Sequence, residues 1–411
     1  MRIKNNLGQG CENELLINDL ADRDAAYGQE QSAVLNDAAF AQALETITAW
    51  PGYGATQLVS LPALARQARV TSVHYKDEGR RFGLGSFKAL GGAYAVSQLL
   101  RREVARIKSL PLPPIREILD RKHADVIEGT TVCCATDGNH GKSVAWGART
   151  FGCKCVIFIH ETVSEGRKQA IEAYGAQVIR TKGNYDESVR EAQETATREG
   201  WFVVSDTSYP GYTEVPKDVM QGYEIMAAEA CDALDVPPTH IFLQTGVGGM
   251  AAAVAAHFKR RYASDRPMVV LADPDKSACW LESIRLGAPT SVHGDLDTLM
   301  AGLACGEISL IAWDILRETA DAVVSVADED AVALMRRLAD PETGDPLIVA
   351  GESAVAGLAA LLGCAGNDEA RRKLGLDENA RILVFGTEGD TDPVLYKKLV
   401  GCEGDAVRGA A

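Results

Sequence analysis

The stretch THIFLQTGVGGMAAAVAAHF, residues 239–258, joins an apolar run to an alanine-rich helix through a loop of glycines. A strand, a tight loop and a helix in this order form the first half of a parallel βαβ unit. The N–H groups at such a helix start point outward and attract anions. We therefore predict a phosphate cradle made by the backbone of Gly246, Val247, Gly248, Gly249 and Met250.

The same glycines also fit a different ligand. Residues 246–251 satisfy the G-x-G-x-x-G/A pattern of dinucleotide-binding loops. Asp273 lies near the end of the next apolar run, PMVVLADP, where an acidic residue binds a ribose hydroxyl in such folds. A nicotinamide-dependent oxidoreductase is therefore an open alternative, as is a loop that packs tightly and binds nothing.

Apolar, β-branched runs alternate with helical patterns from about residue 70 onward, which is typical of α/β folds. They form two groups: TTVCCAT, CKCVIFIH, AQVIRT and WFVVSDT, then THIFLQTG, PMVVLADP, DAVVSV and ARILVFGTEG. This predicts two doubly wound parallel-sheet lobes with a ligand cleft between them, because open α/β sheets bind ligands beyond the carboxyl ends of their strands. We place the larger domain at 1–90 plus 215–411 and a smaller inserted α/β domain at 91–214, with the crossing at 208–226.

Lys88 is the one cation in GLGSFKALGGAYAV, residues 83–96. We predict that Ser86 caps a helix and that Lys88 lies in its first turn, where a positive charge opposes the helix dipole by about 0.3–1 kcal/mol. Gly91 and Gly92 weaken the helix, which indicates that a flat group approaches its backbone. The lysine is then neutral or joined to a cofactor aldehyde; the alternative is a side chain that extends to solvent.

A second loop, ATDGNHGKSVAWGA, also lies at a strand-to-helix junction, at residues 135–148. Thr136, Asp137 and Asn139 offer side-chain acceptors, and the amides from Gly138 onward can bind a carboxylate. Asp137 can act as an acid or base if its pKa is raised; the alternative is a capped turn with Asp137 in water. His140 is predicted to be a turn residue. Asp206 and Thr387 end two further strands, which is a weak signal because such residues often only cap the next turn or helix.

The composition favours a small-molecule ligand. The chain of 411 residues has a net charge of −15, which disfavours nucleic acid, because a polyanion needs clustered Lys and Arg. No apolar stretch reaches the ~18 residues of a membrane span, and MRIKNNLGQG is no secretory signal, so we predict a cytoplasmic protein. The 10 cysteines and 7 histidines lack the spacing of a metal site, and we predict none.

Longer segments carry a family resemblance. They are KDEGRRFGLGSFKALGGAYAV, TDGNHGKSVAW, DTSYPGYTEVPKDVMQGY, MAGLACGE and TEGDTDP, in order from about residue 75 to 393. This set resembles the fold-type II pyridoxal phosphate enzymes, which are similar to the tryptophan synthase β-subunit, and among them the diaminopropionate ammonia-lyases. The resemblance implies pyridoxal 5'-phosphate as cofactor, a homodimer, and elimination of D- and L-2,3-diaminopropionate to pyruvate and two ammonia. A serine or threonine dehydratase remains the alternative.

The resemblance also implies roles. Lys88 forms the Schiff base and moves the Cα proton, and Asp137 is the second base on the opposite face. Asp206 lies near the second amine of the substrate. The other implied contacts are Asn139 with the phenolic oxygen, Gly246 to Met250 with the phosphate, Thr387 with the pyridine nitrogen, and Thr136, Gly138, Asn139 and His140 with the substrate. Cys279 and Cys305, near the cleft entrance by resemblance, are predicted to approach closely enough for a disulfide.

Overall fold

The computed structural model describes residues 1–4, 12–136, 138–161, 163–183 and 185–410. The chain folds as two compact units. The first comprises Met1–Val34, Ala55–Arg80 and Met226–Ala411, and the second comprises Leu35–Gly54 and Arg81–Ile225. These bounds differ from the predicted ones, because residues 35–54, 81–90 and 215–225 group with the second unit, and 81–90 lead into its long helix.

The strands are β1 (Arg2–Lys4), β2 (Glu12–Ile17), β3 (Leu58–Ser60), β4 (Ser72–Asp77), β5 (Thr131–Ala135), β6 (Lys154–Ile159), β7 (Gln177–Arg180), β8 (Phe202–Val203), β9 (His240–Gln244), β10 (Met268–Pro274), β11 (Ala322–Val326) and β12 (Arg381–Gly386). The eight runs predicted as strands correspond to β5 through β12 and are confirmed.

The helices are α1 (Gln29–Ser32), α2 (Asp37–Thr48), α3 (Pro62–Ala68), α4 (Ala89–Lys108), α5 (Ile115–Leu119), α6 (Ala124–Ile127), α7 (Asn139–Phe151), α8 (Glu165–Glu172), α9 (Tyr185–Glu199), α10 (Glu214–Ala233), α11 (Gly249–Tyr262), α12 (Cys279–Leu286), α13 (Leu310–Thr319), α14 (Asp328–Leu338), α15 (Ala356–Ala365), α16 (Asp368–Leu374), α17 (Pro393–Val400) and α18 (Gly404–Ala410). Within the described ranges, no helix combines the length and the apolar character that a bilayer crossing requires.

The first unit contains a mixed sheet with the strand order β1-β2-β11-β10-β9-β12-β4-β3. Its five central strands, from β11 to β4, run parallel, while β2 and β3 pair antiparallel with their inner neighbours. The prediction of a wholly parallel sheet is therefore wrong for this unit. Strands from the N-terminal part of the chain, which lie outside the βαβ units, are added at its edges. The all-apolar helix α15 packs on β9, β10 and β11 and is buried along its whole length.

The second unit contains a parallel sheet with the order β7-β6-β5-β8, as predicted. Helix α7 packs on β5 and β6 and also along α4. Since α7 follows β5 directly, the loop between them lies at the carboxyl end of a parallel strand. That edge is where ligands bind in folds of this class.

Candidate active site

Lys88 lies at the start of α4, in the second unit. The helix begins at Ala89, and Lys88 itself is the N-cap residue, with no side-chain capping bond. Its carbonyl oxygen accepts the N–H of Gly91 at 3.2 Å and that of Gly92 at 2.9 Å. The predicted cap at Ser86 is therefore wrong, since Ser86 is buried two residues before the N-cap position. Lys88 keeps its predicted place at the helix start.

The amine of Lys88 is paired with a carboxylate. Its Nζ donates to Oδ2 of Asp206 at 2.7 Å, and the two side chains are 18% and 20% exposed. Burial acts to raise the pKa of Asp206, but the attraction of Lys88, with smaller contributions from His140 and the hydrogen bond, holds that pKa well below its usual value. Asp206 is therefore an ionised carboxylate that binds an amine, and it offsets the charge at the helix start.

Two aromatic rings face the same amine. The Nζ atom of Lys88 lies 5.3 Å from the ring centre of Phe87 and 5.9 Å from that of Tyr223. The two rings pack against each other with centroids 4.6 Å apart. Cation–π attraction and limited hydration therefore hold the lysine side chain in place, and it does not extend freely into solvent.

His140 lies behind Asp206 and is buried. Its Nε2 lies 2.8 Å from the carbonyl oxygen of Val204 and donates to it, while Nδ1 lies 3.8 Å from Oδ2 of Asp206. Burial lowers the pKa of His140, although Asp206 acts in the opposite direction. The imidazole is therefore neutral near pH 7 and packs beside Asp206 in the first turn of α7. Among the described residues, no group of three His, Cys, Asp or Glu side chains is placed to hold a metal ion.

The loop before α7 contains internal hydrogen bonds that use some of its own amides. The Oγ1 atom of Thr136 accepts the N–H of Gly138 and that of Gly141, each at 3.1 Å. Two of the amides predicted to bind a carboxylate are thus already bonded to Thr136, which is a correction to that prediction. Asn139 is the first residue of the helix. Asp137 lies outside the described residues, so its role stays a prediction.

The segment that carries Asp206 is held by Tyr212, a contact that sequence reasoning missed. The hydroxyl of Tyr212 donates to the carbonyl of Val203 at 2.9 Å and accepts the N–H of Ser205 at 3.0 Å. The chain reverses between Tyr209 and Tyr212 through Pro210 and Gly211, with Gly211 at φ +85°. The sequence SYPGY indicated a turn, but not which backbone groups the tyrosine would reach.

Gly91 and Gly92 are required by helix packing. A Cβ atom on Gly91 would lie 2.4 Å from the ring of Tyr223, and one on Gly92 would lie 2.0 Å from Oγ of Ser143. No real Cβ atom tolerates such distances. The prediction that a flat ligand requires these glycines is therefore wrong, because side chains of α10 and α7 occupy the space.

In the first unit, the glycine loop joins β9 to α11 as predicted. Gly248 is the N-cap of α11 in the left-handed region, at φ +95°, and a Cβ there would lie 2.2 Å from Cζ2 of Trp280. Gly246 and Val247 are half-buried, while Gly249 and Met250 form the buried first turn. The first N–H groups of any helix lack intrahelical acceptors, so this backbone fits an anion such as a phosphate.

Asp273 is not available to a ribose. Its Oδ1 accepts the hydroxyl of Thr245 at 3.0 Å, and its Oδ2 accepts the N–H groups of Trp280 and Leu281 at 2.8 and 3.1 Å. The side chain is fully buried, which raises its pKa to about 7. Asp273 thus ties the start of α12 to the glycine loop and cannot serve as the ribose partner of a dinucleotide.

Thr387 follows β12 and is buried. Its Oγ1 accepts the side-chain N–H of Gln244 at 2.8 Å. Because β9 and β12 are parallel neighbours, Gln244 and Thr387 lie at the same edge of the sheet as the glycine loop. Cys279 and Cys305 lie beside that loop as free thiols, so the predicted disulfide is absent from this structure.

Comparison with known proteins identifies the family. Residues 49–388 match the family model described as pyridoxal-phosphate dependent enzyme. The chain is 39% identical over 356 residues to diaminopropionate ammonia-lyase of Escherichia coli, covering 85% of this chain and 88% of that protein. The chain belongs to the pyridoxal-phosphate dependent enzyme family that includes the diaminopropionate ammonia-lyases. The identity to the Salmonella typhimurium enzyme is 37% over 363 residues, covering 85% of this chain and 89% of that enzyme.

Comparison with solved structures indicates the same family. Holo diaminopropionate ammonia lyase from Escherichia coli has a TM-score of 0.85 and 35% identity, covering 94% of this chain and 96% of that one. The same enzyme in complex with an aminoacrylate-PLP azomethine reaction intermediate has a TM-score of 0.83, with the same identity and coverage. The resemblance drawn from the sequence motifs and the α/β fold of this enzyme family are thereby confirmed. The nicotinamide alternative is wrong, in agreement with the buried Asp273.

Proposed function

We propose that the protein catalyses α,β-elimination of D- and L-2,3-diaminopropionate to pyruvate and two ammonia, with pyridoxal phosphate as cofactor. The observation that carries the proposal is the 2.7 Å contact between the amine of Lys88 and the carboxylate of Asp206. One group is a nucleophilic amine of the kind that pyridoxal enzymes use. The other is a carboxylate that binds an amine. Diaminopropionate has a second amine where serine has a hydroxyl group.

The side chains of each unit fit the cofactor by their chemistry. Lys88 offers a primary amine on a side chain that is only 18% exposed, the start of α11 offers backbone amides to a phosphate, and Thr387 offers a hydroxyl to a ring nitrogen. When bound, pyridoxal phosphate supplies the electron sink that stabilises negative charge at the substrate Cα. Asn139 is proposed as the partner of its phenolic oxygen.

The residues of the chain then manage protons and orientation. Lys88 removes the Cα proton of one enantiomer, and Asp137 is proposed to do so for the other. Asp206 would bind the second amine as an ammonium, which takes the place of the charged Lys88 that lowers the pKa of Asp206 in the free chain, and would keep that amine protonated until it leaves as ammonia. Because the amides of Gly138 and Gly141 are bonded to Thr136, the substrate carboxylate is proposed to bind at Asn139 and His140, the next residues of that loop.

Replacing the amine tests the proposal. Lys88→Ala should lower the rate of pyruvate release from diaminopropionate by about 10²–10⁴-fold or more, the range of a lost acid–base group. The matched control is Lys397→Ala, which removes an exposed amine paired with Glu403 and should leave the rate unchanged. A Lys88→Ala protein that released pyruvate at the wild-type rate would refute the assignment.

The assembly and location are also proposals. We propose that the protein is a homodimer, as the family resemblance implies, and that it lies in the cytoplasm. Light scattering coupled to size-exclusion chromatography should give twice the 43.9 kDa chain mass. A monomer with full activity would contradict the dimer.

A further inference from the structure

The ring of His140 has one protonated nitrogen, and its contacts show which one. Nε2 lies 2.8 Å from the carbonyl oxygen of Val204, which can only accept a hydrogen bond, so Nε2 carries the proton. That carbonyl is itself held in place, since Tyr212 bonds to the residues on either side, Val203 and Ser205. Because the ring is neutral near pH 7, Nδ1 has an unshared electron pair and acts only as an acceptor.

The electron pair of Nδ1 is buried and has no donor. His140 is 7% exposed, and within the described ranges Nδ1 has no hydrogen-bond partner. The nearest charged atom is Oδ2 of Asp206 at 3.8 Å, which is beyond hydrogen-bonding distance and is also an acceptor. A buried acceptor without a donor destabilises a structure. A donor from another molecule would remove that cost.

Nδ1 and Asp206 together offer two acceptors to a charged amine. Asp206 is ionised and 20% exposed, so a ligand can reach it, and its Oδ2 already accepts from the amine of Lys88 at 2.7 Å. An ammonium group has three N–H donors that point in different directions, so a single ammonium can bond to both acceptors. A hydroxyl group has one proton and can bond to only one of them.

We propose that Nδ1 of His140 binds the second amine of diaminopropionate together with Asp206, and that this pair of acceptors selects an amine over a hydroxyl group at the β-carbon. This inference rests on the proposed function, in which the substrate amine takes the place of Lys88 beside Asp206. The carboxylate contact proposed above requires only the backbone N–H of His140, because N–H groups in the first turn of a helix lack intrahelical acceptors. The ring is therefore a separate contact with the substrate.

Two substitutions separate the roles of the two ring nitrogens. In His140→Gln the side-chain amide is long enough to donate to the carbonyl of Val204, as Nε2 does, but no acceptor remains at the position of Nδ1. In His140→Asn the shorter amide places its oxygen near the position of Nδ1, but the bond to Val204 is lost. Gln is thus the better replacement for a histidine with a structural role, and Asn is the better replacement for one that binds the substrate.

The assay compares diaminopropionate with β-chloroalanine, which has the same first amine and carboxylate but no hydrogen-bond donor on the β-carbon. We expect His140→Gln to lower kcat/KM for diaminopropionate about 10–100-fold relative to that for β-chloroalanine, the loss of one hydrogen bond to a charged group. In His140→Asn this ratio should stay close to the wild-type value. An unchanged ratio in His140→Gln, or an equal fall in both variants, would refute this inference alone, whereas a wild-type enzyme that released no pyruvate from diaminopropionate would refute the proposed function as well.

NMR tests the state of the ring without turnover. In protein labelled with ¹⁵N-histidine, the signals of His140 are those that disappear in either variant, so one folded variant is enough to assign them. Near pH 7 we expect Nε2 at the position of a protonated ring nitrogen and Nδ1 at that of an unprotonated one. A protonated Nδ1 would be a donor instead of an acceptor, and it would overturn the inference.

Discussion

Gly248→Ala should destabilise the glycine loop. The expected loss of stability is the sum of a backbone cost and a packing cost. The left-handed backbone at φ +95° costs a non-glycine residue about 1–2 kcal/mol. The new Cβ would lie 2.2 Å from Cζ2 of Trp280, and overpacking of this kind costs about 1–3 kcal/mol. We expect the free energy of unfolding to fall by about 2–5 kcal/mol.

Gly287→Ala is the matched control in the same unit. Gly287 is also left-handed, at φ +70°, but nothing lies within 4 Å of its added Cβ. It should therefore show only the backbone cost of about 1–2 kcal/mol. Urea denaturation followed by tryptophan fluorescence measures both variants. Titration with pyridoxal phosphate should show an affinity at least about tenfold weaker, or 1.4 kcal/mol, for Gly248→Ala alone.

The clash can be relieved to complete the test. In a Trp280→Leu background the alanine at position 248 should cost less, so the two substitutions combine non-additively. Equal losses for Gly248→Ala and Gly287→Ala, with unchanged cofactor affinity, would show that Trp280 does not shape the loop.

Two further predictions concern carboxylates. Asp206→Asn should lower kcat/KM for diaminopropionate about 10–100-fold more than for serine. The reason is that a charge-assisted hydrogen bond contributes about 1.5–3 kcal/mol and serine has no second amine to form it. Equal losses for the two substrates would show that Asp206 does not select the substrate and would favour the dehydratase alternative. Burial raises the pKa of Asp273 from 3.8 to about 7, so the folded chain keeps this proton at pH values where the unfolded chain has lost it. The free energy of unfolding therefore falls as pH rises between those two values, by at most roughly 1.4 kcal/mol per pH unit. Urea midpoints from pH 4 to 7 should show this slope in wild type but not in Asp273→Asn, and parallel slopes would contradict the raised pKa.

Local pattern was enough to predict much of the fold. Strands β5 to β12 are apolar runs bounded by turns, and the glycine loop before α11 has a clear strand-to-helix signature. Strands β1 and β3 were missed because they are three-residue edge strands, which their neighbours in the sheet stabilise more than their own composition does. Strands β2 and β4 were missed because ENELLI and SVHYKD carry polar residues and are not continuous apolar runs. The ligand role of Gly91 and Gly92 was wrong because side chains of α10 and α7, which are distant in the sequence, occupy that space. The cap at Ser86 was wrong because the helix begins at Ala89.

By itself the sequence determined that this protein is an α/β enzyme of the pyridoxal phosphate family, with a lysine at one helix start and glycines at another, because these features depend on residues adjacent in the chain. The tertiary structure decided which side chains these residues contact. Lys88 meets Asp206 across 118 residues, and Gln244 meets Thr387 across 143. Hydrogen bonds form only within about 3 Å, and it is the pairing of parallel strands and the packing of helices that bring such distant residues together.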